Sequence, residues 1–310
     1  MQKVKALKRG GTVGIIAPAG SVSEESLLKG SAELQALGFR VSCSDSALSQ
    51  HHYFAGSHEE RAGEFTRMFE DPQIDAIFCA RGGYGCHHII GRLDPSRIKV
   101  NPKIFVGYSD VTVLLQFLEN ACEITCFHGP MVARELALGE PAYVRENLLD
   151  CLTRTDPGQK LTASRLETLQ PGVARGRLTG GCLSLLTATL GTPYEIQTAG
   201  KILFLEDVNA KPYQVDRMLM HLRLAGKLDG VQGIVFGEMV HCASRPDHEY
   251  SLQEIIFDIL SDFGFPILYG LPSGHTSTGA LTLPLGVTAV LNASEKYLQL
   301  EEAAVTSDAD

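Results

Sequence analysis

Through the first 120 residues, short apolar runs alternate with longer stretches in which apolar positions recur every three or four residues. The runs read as buried strands and the 3.6-residue period as amphipathic helices, so the alternation predicts a parallel sheet covered by helices. Strands are expected at Thr12 to Ala17, Phe39 to Cys43, Ala76 to Ala80 and Ile104 to Val106. Helices are expected at Glu24 to Leu37, which Gly38 closes, at Ser57 to Glu70 and at Val111 to Asn120. Sheets of this kind bind ligands beyond the carboxyl ends of their strands. Two glycine-bearing turns fall there, Arg81-Gly82-Gly83-Tyr84-Gly85 and Gly107-Tyr108-Ser109-Asp110.

From Pro141 to Gly172 the pattern loosens to one helix, Ala142 to Thr153, then Asp156-Pro157-Gly158-Gln159 and no sustained strand. This reads as a crossing between domains. The second half opens with Gly176 to Thr179, a Gly180-Gly181-Cys182 turn and a helix from Leu183 to Leu190. Buried strands at Ile202 to Leu205 and Gly233 to Phe236 flank a helix at Val215 to Leu224. Leu281 to Pro284 and Val287 to Leu291 look like a closing hairpin around Leu285-Gly286, and the acidic tail, Glu301 to Asp310, should fray. The expected fold is α/β: a flavodoxin- or Rossmann-like parallel-sheet domain over 1–150, a linker over 151–172, and a smaller α/β domain over 173–310. Two domains suit 310 residues, since single cores stop growing near about 250–300.

Charge and cysteine usage narrow the function classes. A net charge of −9 without any clustered Lys/Arg run argues against a nucleic acid partner. No window approaches the roughly 18 apolar residues of a membrane span, and Val13 to Ala17 is too short for a signal peptide, so cytoplasmic residence is expected. The eight cysteines include no Cys-x-x-Cys pair and read as buried free thiols. Cys122, Cys126 and His128 come nearest to a metal cluster but lack a fourth ligand, so neither metal nor cofactor is expected. His51/His52 and His87/His88 are adjacent pairs whose members point apart, so neither is a chelate by itself.

Ser109 follows a strand and precedes a helix, the setting that exposes a serine oxygen at a sheet edge beside the N–H groups of the helix start. The second glycine of the lipase-type elbow is missing, and a serine there also serves as a helix cap, so both readings stand at this turn. The Arg81–Gly85 turn lacks either nucleotide fingerprint; its bare backbone N–H groups suit an oxyanion hole or simply a tight turn. Glu206-Asp207 ends a strand, where a carboxylate pair needs solvent or a partner, and His275 lies in the irregular Ser273-Gly274-His275-Thr276 segment. Together Ser109, one carboxylate of that pair and His275 could supply nucleophile, orienter and base.

At these residues the chain closely resembles the LD-carboxypeptidase family of murein tetrapeptide carboxypeptidases. The resemblance covers nearly the whole chain and is carried by Val13-Gly14-Ile15-Ile16-Ala17-Pro18, Arg81-Gly82-Gly83-Tyr84-Gly85, Gly107-Tyr108-Ser109-Asp110 and His128-Gly129-Pro130-Met131. It continues through Gly180-Gly181, Leu205-Glu206-Asp207-Val208-Asn209, Asp216-Arg217-Met218-Leu219, Gly274-His275 and Leu281-Thr282-Leu283-Pro284-Leu285-Gly286. It implies a serine peptidase with Ser109 as nucleophile, His275 as general base and Glu206 as its partner. The backbone N–H groups of Gly83 and Asp110 become the implied oxyanion hole. The implied reaction removes the terminal D-alanine from a peptidoglycan stem tetrapeptide at an L-to-D bond, through an acyl-enzyme, without metal or cofactor, in a homodimer. Cys182 departs from the pattern: the family usually carries Asn after the paired glycines, so a side-chain amide is missing here.

Other readings remain in the same frame. The related microcin C self-immunity peptidases share the triad but cleave an aminoacyl nucleotide analogue. A non-catalytic sugar- or peptide-binding protein would use a cleft without needing the serine. A nicotinamide dehydrogenase lacks its dinucleotide fingerprint here.

Overall fold

The computed structural model describes residues 1–244 and 249–307, which form two compact units. The first holds residues 1–155, 278–285 and the stretch from 303 onward; the second holds 156–277 and 286–302. Of the acidic tail expected to fray, residues 308–310 lie outside the described residues, but Val305–Thr306 is an ordered strand with Val305 buried, so that expectation fails for this part.

The first unit begins with β1 (Val4–Lys5), β2 (Thr12–Ile16), α1 (Glu24–Ala36), β3 (Arg40–Cys43), α2 (His58–Glu70) and β4 (Ala76–Cys79). It continues through α3 (Cys86–Ile90), α4 (Pro95–Lys99), β5 (Ile104–Gly107), a 3₁₀ turn (Ser109–Val111), α5 (Thr112–Asn120), β6 (Cys126–His128) and α6 (Arg145–Thr153). Every residue of β4 and β5 is buried, the continuous apolar pattern of strands covered on both faces. Ser57 starts α2 through a capping box with Glu60, and the helix seats Phe65 on Phe105 of β5 with ring centroids 5.4 Å apart. Strands β3, β2, β4, β5 and β6 run parallel in that spatial order. Counted along the chain this is the 2-1-3-4-5 flavodoxin order, which reverses between β2 and β4 and opens a ligand crevice beyond their carboxyl ends.

The second unit takes β7 (Lys160–Leu161), β8 (Glu167–Gln170), β9 (Val173–Cys182), α7 (Leu183–Ala188), β10 (Lys201–Glu206), α8 (Pro212–Leu224), β11 (Gly233–Phe236), α9 (Leu252–Leu260) and β12 (Ile267–Tyr269). The chain then gives β13 (Leu283–Leu285) to the first unit, β14 (Thr288–Asn292) and β15 (Tyr297–Leu300) to the second, and β16 (Val305–Thr306) to the first, where it pairs with β1. The second sheet has the order β7-β15-β14-β9-β10-β11-β12-β8 and is parallel from β9 to β12. Its core packs Leu203, Leu205, Ile234 and Phe236 of the strands with Leu219 of α8 and Ile256 of α9.

Three further expectations change. Gly180-Gly181-Cys182 is no turn but the end of ten-residue β9, in register with Phe204, Leu205 and Glu206 of β10. Gly180, at φ 133°, lets the backbones approach so closely that a Cβ there would stand 1.9 Å from the Phe204 carbonyl oxygen. The closing hairpin is absent: β13 pairs antiparallel with β6, while β14 pairs antiparallel with β9 and β15, so the chain changes sheets at Gly286 (φ 88°). Periodicity marks two strands but names no partner for either. The 151–172 stretch completes α6 and supplies the edge strands β7 and β8, and the unit boundaries therefore follow sheet membership, not a single crossing.

Candidate active site

In the first unit, the chain leaves β5 through Tyr108 and enters the 3₁₀ turn at Ser109 with φ 64°, a left-handed conformation costly for a residue with a Cβ. The Ser109 hydroxyl caps neither this turn nor α5, which begins from Val111 without a side-chain cap. That removes the helix-cap reading and leaves the strained strand-to-helix elbow. Glu135 braces the elbow from behind: its carboxylate accepts the Tyr108 hydroxyl at 2.7 Å and the Met131 N–H at 3.1 Å.

The second glycine turn, after β4, lies against this elbow. A Cβ at Gly82 would stand 2.9 Å from the Ser109 Cβ and 3.4 Å from the Asp110 nitrogen. Gly82 is thus glycine because the Ser109 turn passes over it, and its carbonyl accepts the Gly20 N–H at 3.0 Å, tying in the turn that follows β2. Gly83 has φ 107° in the same turn. Asp110 is buried, and burial pushes its carboxyl above the ordinary range while the Cys86 N–H, donating at 2.8 Å, pulls it back. This bond joins the start of α3 to the residue after Ser109. Arg61 crosses beneath, donating to the Gly85 carbonyl at 2.9 Å and to that of Pro18. His88 is stacked on His58 at 4.3 Å, and Tyr84 lies near both His87 and His88, whereas the rings of His51 and His52, expected to point apart, meet edge to face at 4.4 Å.

In the second unit, β10 ends at Glu206, which is fully buried. Its Oε2 accepts the His275 backbone N–H at 3.1 Å and meets the His275 Nδ1 at 2.8 Å. With Nδ1–H donating to the carboxylate, Nε2 keeps its lone pair for a proton. Gly237, following β11, makes room for Glu206: a Cβ there would stand 2.7 Å from the glutamate Cβ. Asp207 does something else. It accepts the Ser184 and Val208 N–H groups, each at 2.8 Å, and so holds the first turn of α7; burial raises its pKa against those two bonds. Glu206 is therefore the member of the pair that orients the histidine. Cys182, opposite Glu206 in the sheet, has its thiol pKa raised by burial and then by the Glu206 and Asp207 charges, so it stays a neutral thiol, 3.3 Å from the Ser184 hydroxyl.

Sequence reasoning gave no role to Glu238, whose Oε2 accepts Thr276 Oγ1 at 2.5 Å and the Ser277 N–H at 2.6 Å, bracing the histidine loop from the end of β11. Its position one residue beyond a strand-ending glycine was the available signal. No group of three or more His, Cys, Asp or Glu among the described residues is placed to hold a metal, including Cys122, Cys126 and His128.

Known proteins decide what this arrangement belongs to. The profile of the LD-carboxypeptidase N-terminal domain matches residues 13–129, and that of the C-terminal domain matches 175–291. The chain belongs to the LD-carboxypeptidase family. It is 38% identical over 301 residues to a protein of Bacillus subtilis named a probable murein peptide carboxypeptidase, covering 96% of this chain and 94% of that one. The solved muramoyltetrapeptide carboxypeptidase from Oxalobacter formigenes superposes with a TM-score of 0.84 at 29% identity, covering 96% and 100% of the two chains. The Escherichia coli microcin C7 self-immunity protein, solved with glutamyl sulfamoyl guanosine, reaches a TM-score of 0.91 at 25% identity, covering 98% and 99%. Among the described residues no helix is long and apolar enough to cross a membrane.

Proposed function

We propose that this family member removes the terminal D-alanine of murein tetrapeptides, L-Ala-γ-D-Glu-diamino acid-D-Ala, with Ser109, Glu206 and His275 as a catalytic triad. In this reading Ser109 Oγ attacks the scissile carbonyl while His275 Nε2 takes its proton and passes it to the departing D-alanine amine. The N–H groups of Gly83 and Asp110 hold the oxyanion, and water then releases the peptide acyl group from Ser109 by the reverse path. The observation that carries the reading is the left-handed backbone of Ser109 at a strand-to-helix turn that its hydroxyl does not cap. The bonded Glu206–His275 pair supplies the base, and 38% identity to a protein named a probable murein peptide carboxypeptidase supports the substrate. Free thiols at all eight cysteines fit a reducing cytoplasm, and the homodimer implied by the family resemblance completes the proposal.

The test is release of D-alanine from L-Ala-γ-D-Glu-diaminopimelate-D-Ala by wild type and Ser109→Ala. Wild type is expected to release it and the variant to be slower by roughly 10⁵-fold or more. Likeness to the microcin protein motivates the alternative substrate, an aminoacyl sulfamoyl nucleoside. Cleavage of that compound with no D-alanine release would replace this reading.

A further inference from the structure

We propose that Arg81 is the residue that recognises the free C-terminal carboxylate of the substrate and so makes this enzyme an exopeptidase. This rests on the carboxypeptidase reading above and deepens it.

An enzyme that removes one terminal residue has to tell a chain end from a chain interior, and the distinguishing group is a carboxylate one residue beyond the scissile carbonyl. One residue spans at most about 3.6 Å, and a charge-assisted N–H···O⁻ bond adds about 2.8 Å, so the recognising cation has to sit within about 7 Å of the reacting carbon. With a net charge of −9, the molecule as a whole repels such an anion, and the recognition has to be local.

Arg81 is the cation that adjoins the Ser109 elbow within the first unit. It is the residue before Gly82, the glycine that the Ser109 elbow touches, and two before Gly83, the proposed oxyanion donor. Its guanidinium carbon lies 3.8 Å from the Cβ position of Gly20 and its Nε 4.0 Å from that of Gly83, so the group spans the two turns that close the β2/β4 crevice. This is the switch point at which doubly wound sheets take their ligands. One nitrogen, Nη1, is anchored to the Ser21 carbonyl at 2.9 Å, which fixes the fork while leaving the other nitrogens available. The side chain is exposed, and among the described residues no carboxylate pairs with it. A guanidinium held in place, without a counter-ion, beside an oxyanion turn is suited to a planar, two-oxygen anion, which it can grip bidentately. Arg61, the other arginine of this region, is buried and bonds main-chain carbonyls, so it is not available for that role.

The test measures binding on the Ser109→Ala protein, which holds substrate without turning it over. Two ligands are titrated calorimetrically: L-Ala-γ-D-Glu-diaminopimelate-D-Ala and the same peptide ending in D-alaninamide. With Arg81 present, the acid is expected to bind roughly 30- to 100-fold more tightly than the amide. In Arg81→Met that preference is expected to fall to about one, with amide binding within about threefold of its former value, whereas Arg81→Lys, which keeps the charge but not the fork, falls between. Equal losses for acid and amide, or a preference that survives in both variants, would overturn the assignment. Should Arg81→Met not fold, Arg81→Lys alone decides: a preference as large as with Arg81 counts against the proposal. No binding of either peptide to Ser109→Ala alone would overturn the underlying substrate reading instead.

Discussion

In the proposed triad, single residues are asked to carry the chemistry, and Ser109 and Glu206 show what the fold does to them. A serine at φ 64° stores about 1–3 kcal/mol of backbone strain, offset by the buried elbow around it: Tyr108 bonded to Glu135 and Gly82 packed beneath. The strain stands the hydroxyl clear of the helix it precedes. Glu206 works by charge as well as position, because its Oε2 meets both the backbone N–H and the ring of His275. Glu206→Gln keeps the shape but removes the charge that favours an imidazolium. A kcat lower by roughly 10³–10⁴-fold with KM within about threefold is expected in steady-state D-alanine release. A variant with near-normal kcat would show that Glu206 only shapes the loop.

At the scale of elements, the placement of Glu206 depends on how β9 and β10 meet. Their register puts Gly180, Gly181 and Cys182 opposite Phe204, Leu205 and Glu206, and Gly180 allows that approach. In Gly180→Ala the new methyl has to displace the β10 backbone, a shift no side-chain rotation relieves. Loss of at least about 2 kcal/mol is expected in urea unfolding, together with reduced activity, since Glu206 moves with its strand. Unchanged stability would show that β9 can slide without cost. Asp207 illustrates the same coupling from the other side, as one of two adjacent carboxylates at a strand end secures α7 while its neighbour serves the histidine.

Across the whole molecule, neither unit is a continuous piece of chain, and this sets what can be cut. A fragment of residues 156–277 lacks β14 and β15, which stand between β9 and β7 in its sheet. It is expected to show no cooperative thermal transition by circular dichroism, and a sharp, reversible one would contradict the topology. The alternating apolar runs and amphipathic helices of residues 1–120 were enough to specify four of the five parallel strands, because each of β2, β3, β4 and β5 is followed by a covering helix and the information is local, whereas the three-residue β6 was not read. The glycine-bearing turns and the strand-to-helix setting of Ser109 were legible for the same reason. What only the tertiary structure decided is non-local: that β13 and β14 part company at Gly286, that Gly180-Gly181-Cys182 continues a strand, that Asp207 secures α7 while Glu206 bonds His275, and that Arg81 lies across Gly20 and Gly83. A sequence states which residues are apolar, charged or permissive, but which strand edge or carboxylate a group meets is set by pairings between residues far apart in the chain, and those exist only once the sheets have formed.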